Sequence, residues 1–433
     1  MVRRLLTALK GEEARAWGWL LSGSVIAQVL LLATLPILSR LYAPSAWGQL
    51  AALLTVSIVG GAVSSFGFDS AVVVARSERS ARSIYAASLW LSPIGALLCV
   101  GVVAIIAAYF PGALGGPLDI GFATACFIGV LAQTHFNILS AALSRQKRYG
   151  PIAASKVNQT LLPNVAQIAL AFSIWSPMGL VFGRIAGMAA MVAVLCLALP
   201  SGYRPGDALS QRPRLLLAAV RRHLDFVWMV PRQLLVRSAT AFPPLLVVGG
   251  FGAHAGGLFL LAQRLVDRPG MLLSDALMRI PLRRFAEIER AGRPLLPPVA
   301  AYTGLIAIPV VAATGLIALA AHPLISFLFG ERWSPAADFV VALAVWASAR
   351  LIALPITSLI IVLHLQKPML IIDAIFAWRL LAIPVLAAVG RTALEAVLAF
   401  VLLSVLYHLV TAAIVVGAAR AHDRTLLMEE RIS

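Results

Sequence analysis

The sequence predicts an all-α integral membrane protein, with twelve transmembrane helices in two six-helix lobes related by a pseudo-two-fold axis along the membrane normal. Composition, the tally of long apolar stretches and an internal repeat lead there. Of 433 residues, 61% are hydrophobic and only 12% charged, and the mean hydropathy is +0.92, whereas soluble domains carry roughly 25% charged residues. Lys and Arg number 35 against 18 Asp and Glu, a net charge of +17. In a soluble chain that excess would suggest nucleic acid; here the basic bias of cytosolic loops accounts for most of it, and no nucleic-acid partner is expected. Cys99, Cys126 and Cys196 fall in apolar runs without metal-ligand or paired spacing, so they read as small core residues. No cofactor is expected.

Apolar stretches of about 20 residues, enough to cross a bilayer, occur at 17–41, 47–66, 84–110, 120–140, 152–175, 178–199, 227–248, 257–278, 299–321, 339–365, 369–389 and 394–418. The first is too long, and lacks the small-residue cleavage site, to be a removed signal, so residues 1–16 read as a basic cytosolic segment. The loops alternate in charge. One side collects Arg3 to Arg15, Arg76 to Arg82, Arg145 to Lys156, Arg204 to Arg222, Arg279 to Arg293, Lys367 and Arg420 to Arg431; the other holds Arg40, Arg332 and Arg391. This places both termini in the cytosol. The longest cytosolic connection, 200–226, is basic and divides an N-lobe, 17–199, from a C-lobe, 227–418, with a cytosolic tail at 419–433.

The lobes carry matching landmarks. RLYAPSAWG at 40–48 and GGFGAHAGG at 249–257 are outer turns of equal length after spans 1 and 7. Pro36 pairs with Pro244, Pro93 with Pro309 and Pro163 with Pro384, and Gln146-Lys147 pairs with Gln366-Lys367, at slowly growing offsets. Two like-oriented halves are the arrangement of carriers that rock one half against the other.

Charge inside the spans carries the chemistry. Arg184, Arg232, Arg237, Arg264, Arg268, Arg350 and Arg379 lie there beside Asp267, Asp275 and Asp373. An arginine at mid-membrane costs roughly 2.5–3.5 kcal/mol on insertion scales, so such residues usually face a partner or a wet cavity. In span 8, Arg264, Arg268, Asp275 and Arg279 fall at about 0, 40, 20 and 60 degrees on a helical wheel, one polar stripe, and Asp267 is placed to pair with Arg264 at i, i+3. Guanidinium groups hold phosphate oxygens bidentately and keep their proton, so the excess points to an anionic ligand. Arg232 and Arg279 near the inner ends read as snorkelling. The bland reading of Arg184 is a bond to a neighbouring carbonyl, and that of Arg379 a pair with Asp373. Gln28, Gln133, His135 and Asn137 could bond sugar hydroxyls, though such residues more often join helices; Gly183 and Gly187 fit a close helix contact.

Residues 36–79, PILSRLYAPSAWGQLAALLTVSIVGGAVSSFGFDSAVVVARSER, resemble the opening of the Wzx-type polysaccharide flippases of the multidrug/oligosaccharidyl-lipid/polysaccharide exporter superfamily. SRQKRYGPIAASKV at 144–157, GAHAGGLFLLAQRLVDRP at 252–269 and LFGERWSPAA at 328–337 agree with the resemblance. It implies a two-lobed carrier that moves an undecaprenyl-diphosphate-linked glycan from the inner to the outer leaflet for O-antigen or exopolysaccharide export. It also implies contacts with membrane lipids and with the polysaccharide polymerase and chain-length machinery. In that family spans 1, 2, 4, 7, 8 and 10 line the cavity, which adds Arg237 and Arg350 to Arg264 and Arg268 as diphosphate-binding candidates. Relatives commonly carry an acidic residue beside an aromatic at the end of span 2; this chain has Phe68-Asp69, so only Asp69 is carried over. It joins Asp267, Asp275 and Asp373 as candidates for ion coupling.

Enzyme readings fail by absence: the chain has no GxxxxGK[ST], HExxH or GxSxG motif, and the longest outer segment, 321–338, offers only His322, Glu331 and Arg332. Two transport alternatives stay open. An ion-coupled multidrug antiporter of the same superfamily would favour an acidic cavity, and a peptidoglycan-precursor flippase commonly has two more helices.

Overall fold

The computed structural model describes residues 29–30, 32–173 and 178–432. They are helical throughout: α1 (Leu32–Leu41), α2 (Pro44–Ser64), α3 (Phe68–Val74), α4 (Glu78–Tyr109), α5 (Ile120–Arg145), α6 (Tyr149–Ala171), α7 (Gly179–Ala198), α8 (Pro205–Leu209), α9 (Pro213–Arg222), α10 (Met229–Ala241), α11 (Pro243–Arg290), α12 (Leu296–Phe329), α13 (Ala336–Val362), α14 (Gln366–Phe376), α15 (Ala382–Ala388) and α16 (Ala393–Ile432). Among the described residues nine helical segments are long and apolar enough to cross a membrane. Side chains such as Leu98, Val102, Leu305, Ile308, Leu319 and Leu402 remain exposed on them, as a lipid-facing surface requires.

The chain divides into two compact units, Met1–Gly257 and Leu258–Ser433. In the first, α6 is not among the nine apolar segments, because its polar residues serve as helix-to-helix fasteners. Asn164 donates to the Thr34 hydroxyl at 2.6 Å, Gln167 Nε2 donates to the Leu180 carbonyl at 2.8 Å, and the Tyr42 hydroxyl donates to the Gln167 carbonyl at 2.6 Å. Gly183 and Gly187 of α7 sit against Gln167 and Pro163, with no room for a side chain. The expected glycine contact is therefore present.

The ends of α3, α4 and α5 are joined by Arg145. Its guanidinium donates to the carbonyls of Val72, Val73 and Ala75 at 3.2, 3.1 and 2.8 Å, which lie at and just past the end of α3, and to Glu78 Oε2 at 3.1 Å. A planar fork with several donors suits several carbonyls at once. Tyr203, in the connection before α8, stacks edge-on against Tyr85 at 5.2 Å. Burial, and then the Glu78 carboxylate, push its phenol up to about 12, so it stays neutral.

The turns around Pro44 and Ala253 meet in this unit. Within α11 the helix is interrupted at Gly252, whose φ of 85° and ψ of 170° only glycine adopts without strain. A Cβ on Gly48 would overlap the Ala253 carbonyl, and a Cβ on Gly257 would overlap the Pro44 carbonyl. Gly48 and Gly257 are 209 residues apart, as are Pro44 and Ala253. The two contacts are thus one contact made twice with the partners exchanged.

In the second unit, α12, α13 and α16 pack together, and a core of Phe285, Leu295, Val299, Leu359 and Val415 closes one end. Asp423 of α16 accepts the backbone N–H groups of Leu295 and Leu296 at 2.8 and 3.1 Å. It supplies from a distance the cap that α12 lacks locally. Helix α16 opens with a capping box: Glu395 accepts the Thr392 N–H at 2.8 Å, and Thr392 Oγ accepts the Glu395 N–H at 3.3 Å.

Candidate functional site

Two clusters of polar side chains lie in the spanning segments of the second unit. Arg350, on α13, places Nη2 3.5 Å from Asp267 Oδ1 of α11. Its guanidinium also lies 5.6 Å from the Trp346 ring, one turn back on the same helix. Gly270, one turn beyond Asp267, lets it pass at van der Waals distance. Arg350 Nε is buried with no hydrogen-bond partner among the described residues. The ion pair is long and the guanidinium keeps donor capacity. A half-buried cation in that condition can accept a further anion.

A second cluster centres on Tyr407 of α16. Its hydroxyl donates to Asp373 Oδ1 at 2.6 Å, and the Arg379 guanidinium lies 4.5 Å from its ring. Arg379 is buried and donates through Nη1 to the Phe376 carbonyl at 3.0 Å. Asp373 and Arg379 are therefore joined through a tyrosine. His408, the next residue, sets its ring edge-on to Tyr407 at 5.0 Å. It also lines a cavity of about 560 Å³ with Thr314, Ser348 and a largely apolar wall from α12, α13 and α16. The Thr314 and Ser348 hydroxyls lie against each other, and each also has a carbonyl of its own helix within bonding distance, Val310 and Ala344.

Of the other candidates, Arg184 Nη1 donates to the Gln159 carbonyl at 3.1 Å, a cross-helix bond as its bland reading expected. Gln133 Nε2 donates to Asn137 Oδ1 at 3.2 Å, and His135 Nδ1 meets the Leu131 carbonyl at 2.7 Å. Asp69 accepts from the Ser65 hydroxyl at 3.2 Å. Arg264 is half-buried on α11, three residues before Asp267. The side chains of Arg232, Arg237, Arg268, Asp275 and Arg279, and Gln28 altogether, lie outside the described residues, so of the polar stripe of span 8 only Arg264 is seen. Sequence reasoning missed Trp346, Tyr407 and His408. An adjacent tyrosine and histidine in an otherwise apolar span was the available signal.

Similarity searches agree with this architecture. The fold matches a structure described as the inward-facing conformation of a multidrug resistance MATE family transporter of the MOP superfamily, with a TM-score of 0.64 at 15% identity over 94% of this chain and 96% of that one. It matches a structure of the lipid II flippase MurJ, in an inward closed conformation, equally well: TM-score 0.64, 11% identity, 93% and 91% covered. The protein is thus a multi-span membrane protein with the fold of the MOP-superfamily transporters. Residues 37–338, more than half of the chain, match the sequence profile described as "Polysaccharide biosynthesis protein". The chain belongs to that family, in keeping with the polysaccharide-flippase resemblance of its motifs. A curated relative, the succinoglycan biosynthesis transport protein ExoT of Rhizobium meliloti (strain 1021), is 25% identical over 331 residues, 73% of this chain. The matched region spans 62% of that relative's length.

Proposed function

We propose that the chain flips an undecaprenyl-diphosphate-linked oligosaccharide from the cytoplasmic to the periplasmic leaflet, by alternating access through a cationic central cavity, for polysaccharide export. The reading takes twelve spans in two lobes, 17–199 and 227–418, with both termini cytoplasmic. The polymerase and chain-length machinery would be its partners downstream.

The observation that carries it is Arg350: a half-buried, permanently charged fork in a spanning helix, held by a 3.5 Å carboxylate contact and an aromatic face, with its buried Nε unused among the described residues. A lipid diphosphate brings about two negative charges into the bilayer, and a guanidinium binds such oxygens in pairs. In this scheme the phosphate competes with Asp267 for Arg350, while Arg264, Arg268 and Arg237 add positive charge on neighbouring helices. Asp267 and Asp373 are the nearest candidates for coupling to an ion gradient. A family named for polysaccharide biosynthesis, and a relative named for succinoglycan transport, support the glycan as cargo.

Complementation tests the proposal. The chain is expressed in strains that each lack a known polysaccharide flippase, and surface polymer is scored for wild type and for Arg350, Arg264, Arg268 and Arg237 changed singly to alanine and to lysine. Restored polymer, lost in the Arg350 variants at equal membrane abundance, is the expected result. Wild-type export from all four alanine variants would overturn the cationic-cavity mechanism, and drug resistance without any polymer phenotype would point to an antiporter.

A further inference from the structure

The connection between Ala198 and Met229 contains large apolar side chains that belong neither to a spanning helix nor to the core. Leu215, Leu217, Leu224 and Trp228 are 54%, 53%, 52% and 81% exposed. Three of them flank or follow a well-made docking. Ala219 of α9 is buried in a cluster with Ala81, Ile84 and Tyr85, and Leu216 and Val220 pack against the same cluster. The Ser80 hydroxyl lies 3.4 Å from His223 Nε2. Ala81 to Tyr85 form the first two turns of α4, so α9 is held within about 10 Å of the end of a membrane-crossing helix, at 1.5 Å per residue. That is the depth of a headgroup layer.

The helical wheel of α9 shows what the layer would meet. Ala219, Leu216 and Val220 make the centre of an apolar arc, and the exposed Leu215 and Leu217 are its two edges. Basic residues stand just outside those edges: Arg222 falls about 20 degrees from Leu215 and Arg221 about 40 degrees from Leu217, while Arg214 and Ala218 lie on the far side, from which a long arginine can reach back to headgroups and an alanine cannot. Apolar flanks bordered by arginine are the pattern of a helix lying in a membrane interface, with guanidinium groups reaching headgroup phosphates. Arg204 and Arg212 add to the positive charge nearby, and Trp228 is the amphipathic ring favoured at such a boundary.

We propose that α9 is an anionic-phospholipid docking surface: Leu215 and Leu217 enter the acyl boundary on the connection's side of the membrane, and Arg214, Arg221 and Arg222 bind anionic headgroups. The docked helix holds the connection between the two halves of the chain against the bilayer. This does not depend on what the protein transports.

The test uses the full chain with Cys99, Cys126 and Cys196 replaced by alanine, and Leu217→Cys or Ala218→Cys labelled with an environment-sensitive fluorophore. Vesicles contain phosphatidylcholine alone or with phosphatidylglycerol. The label at 217 is expected to shift to the blue and resist an aqueous quencher more strongly when phosphatidylglycerol is present, an effect reversed by salt, while the label at 218 stays wet. Each arginine changed to glutamine at 214, 221 and 222 should lower the odds of protection about fivefold, the effect of one basic side chain at an anionic surface. Equal wetting of both labels in both vesicles overturns the proposal, as does an undiminished phosphatidylglycerol response in the triple glutamine variant. If the cysteine-free chain is unstable, quenching of Trp228 by brominated phosphatidylglycerol, taken as wild type minus Trp228→Phe, gives the same two outcomes.

Discussion

Gly48 rests on the carbonyl of Ala253, and Gly257, 209 residues after Gly48, rests on the carbonyl of Pro44, 209 residues before Ala253. A contact repeated with its partners exchanged is what a two-fold relation between repeats produces, and the backbones approach so closely because neither glycine carries a Cβ. Gly48→Ala and Gly257→Ala should each lower the melting temperature of the purified protein, by about 1–3 kcal/mol of overpacking. Gly417→Ala on α16, where a Cβ meets open space, is the control; in a helix it should be neutral or stabilise by up to about 1 kcal/mol.

Arg350 separates a structural from a ligand-binding role. If the pair with Asp267 mattered only for folding, Asp267→Asn combined with Arg350→Ala would restore both stability and export, since neither charge is then left facing a neutral partner. The expected outcome is recovery of thermal stability towards wild type with export still lost. Arg350→Lys, which keeps charge without the fork, should also export poorly.

Tyr407→Phe tests the link between Asp373 and Arg379. It deletes the 2.6 Å bond to the carboxylate while keeping the ring beneath the guanidinium. A loss of about 1.5–3 kcal/mol in unfolding free energy is expected, as for a bond to a charged group in a buried site. Tyr407→Leu, which also removes the aromatic face, should cost more in the same thermal assay.

Asp423 caps α12 from across the second unit, and Asp423→Ala should destabilise the protein by about 0.5–2 kcal/mol. Asp423→Asn keeps an oxygen acceptor and should recover part of that loss. Hydrogen exchange of the amides of Leu295 and Leu296 reads the cap directly and should accelerate in the alanine variant.

Arg145→Ala removes the donor to three carbonyls and the partner of Glu78 at once. Limited proteolysis should then cut between Val74 and Glu78, where wild type resists. Arg145→Lys should protect only partly, because one ammonium cannot serve both the carbonyls, which accept from Nη1, and Glu78, which accepts from Nε.

Hydropathy and the charge pattern were legible in the sequence because the membrane acts as a one-dimensional filter: each crossing segment must be apolar over about 20 residues regardless of its neighbours. The intramembrane arginines, Arg184 through Arg379, were visible by the same filter, and the glycine pair of α7 by its spacing. Sequence alone could not join Arg350 to Asp267, 83 residues away, nor insert Tyr407 between Asp373 and Arg379, because those pairs depend on which faces of α11, α13, α14 and α16 turn towards one another. The polar run of α6 reads as a weak span until its bonds to Thr34, Tyr42 and Leu180 appear. Local composition determined that this chain lives in a membrane and carries buried positive charge. Packing decided which partner each charge meets, Asp267 for Arg350, the Tyr407 ring for Arg379 and the Gln159 carbonyl for Arg184, because only the meeting of helix faces brings them within reach.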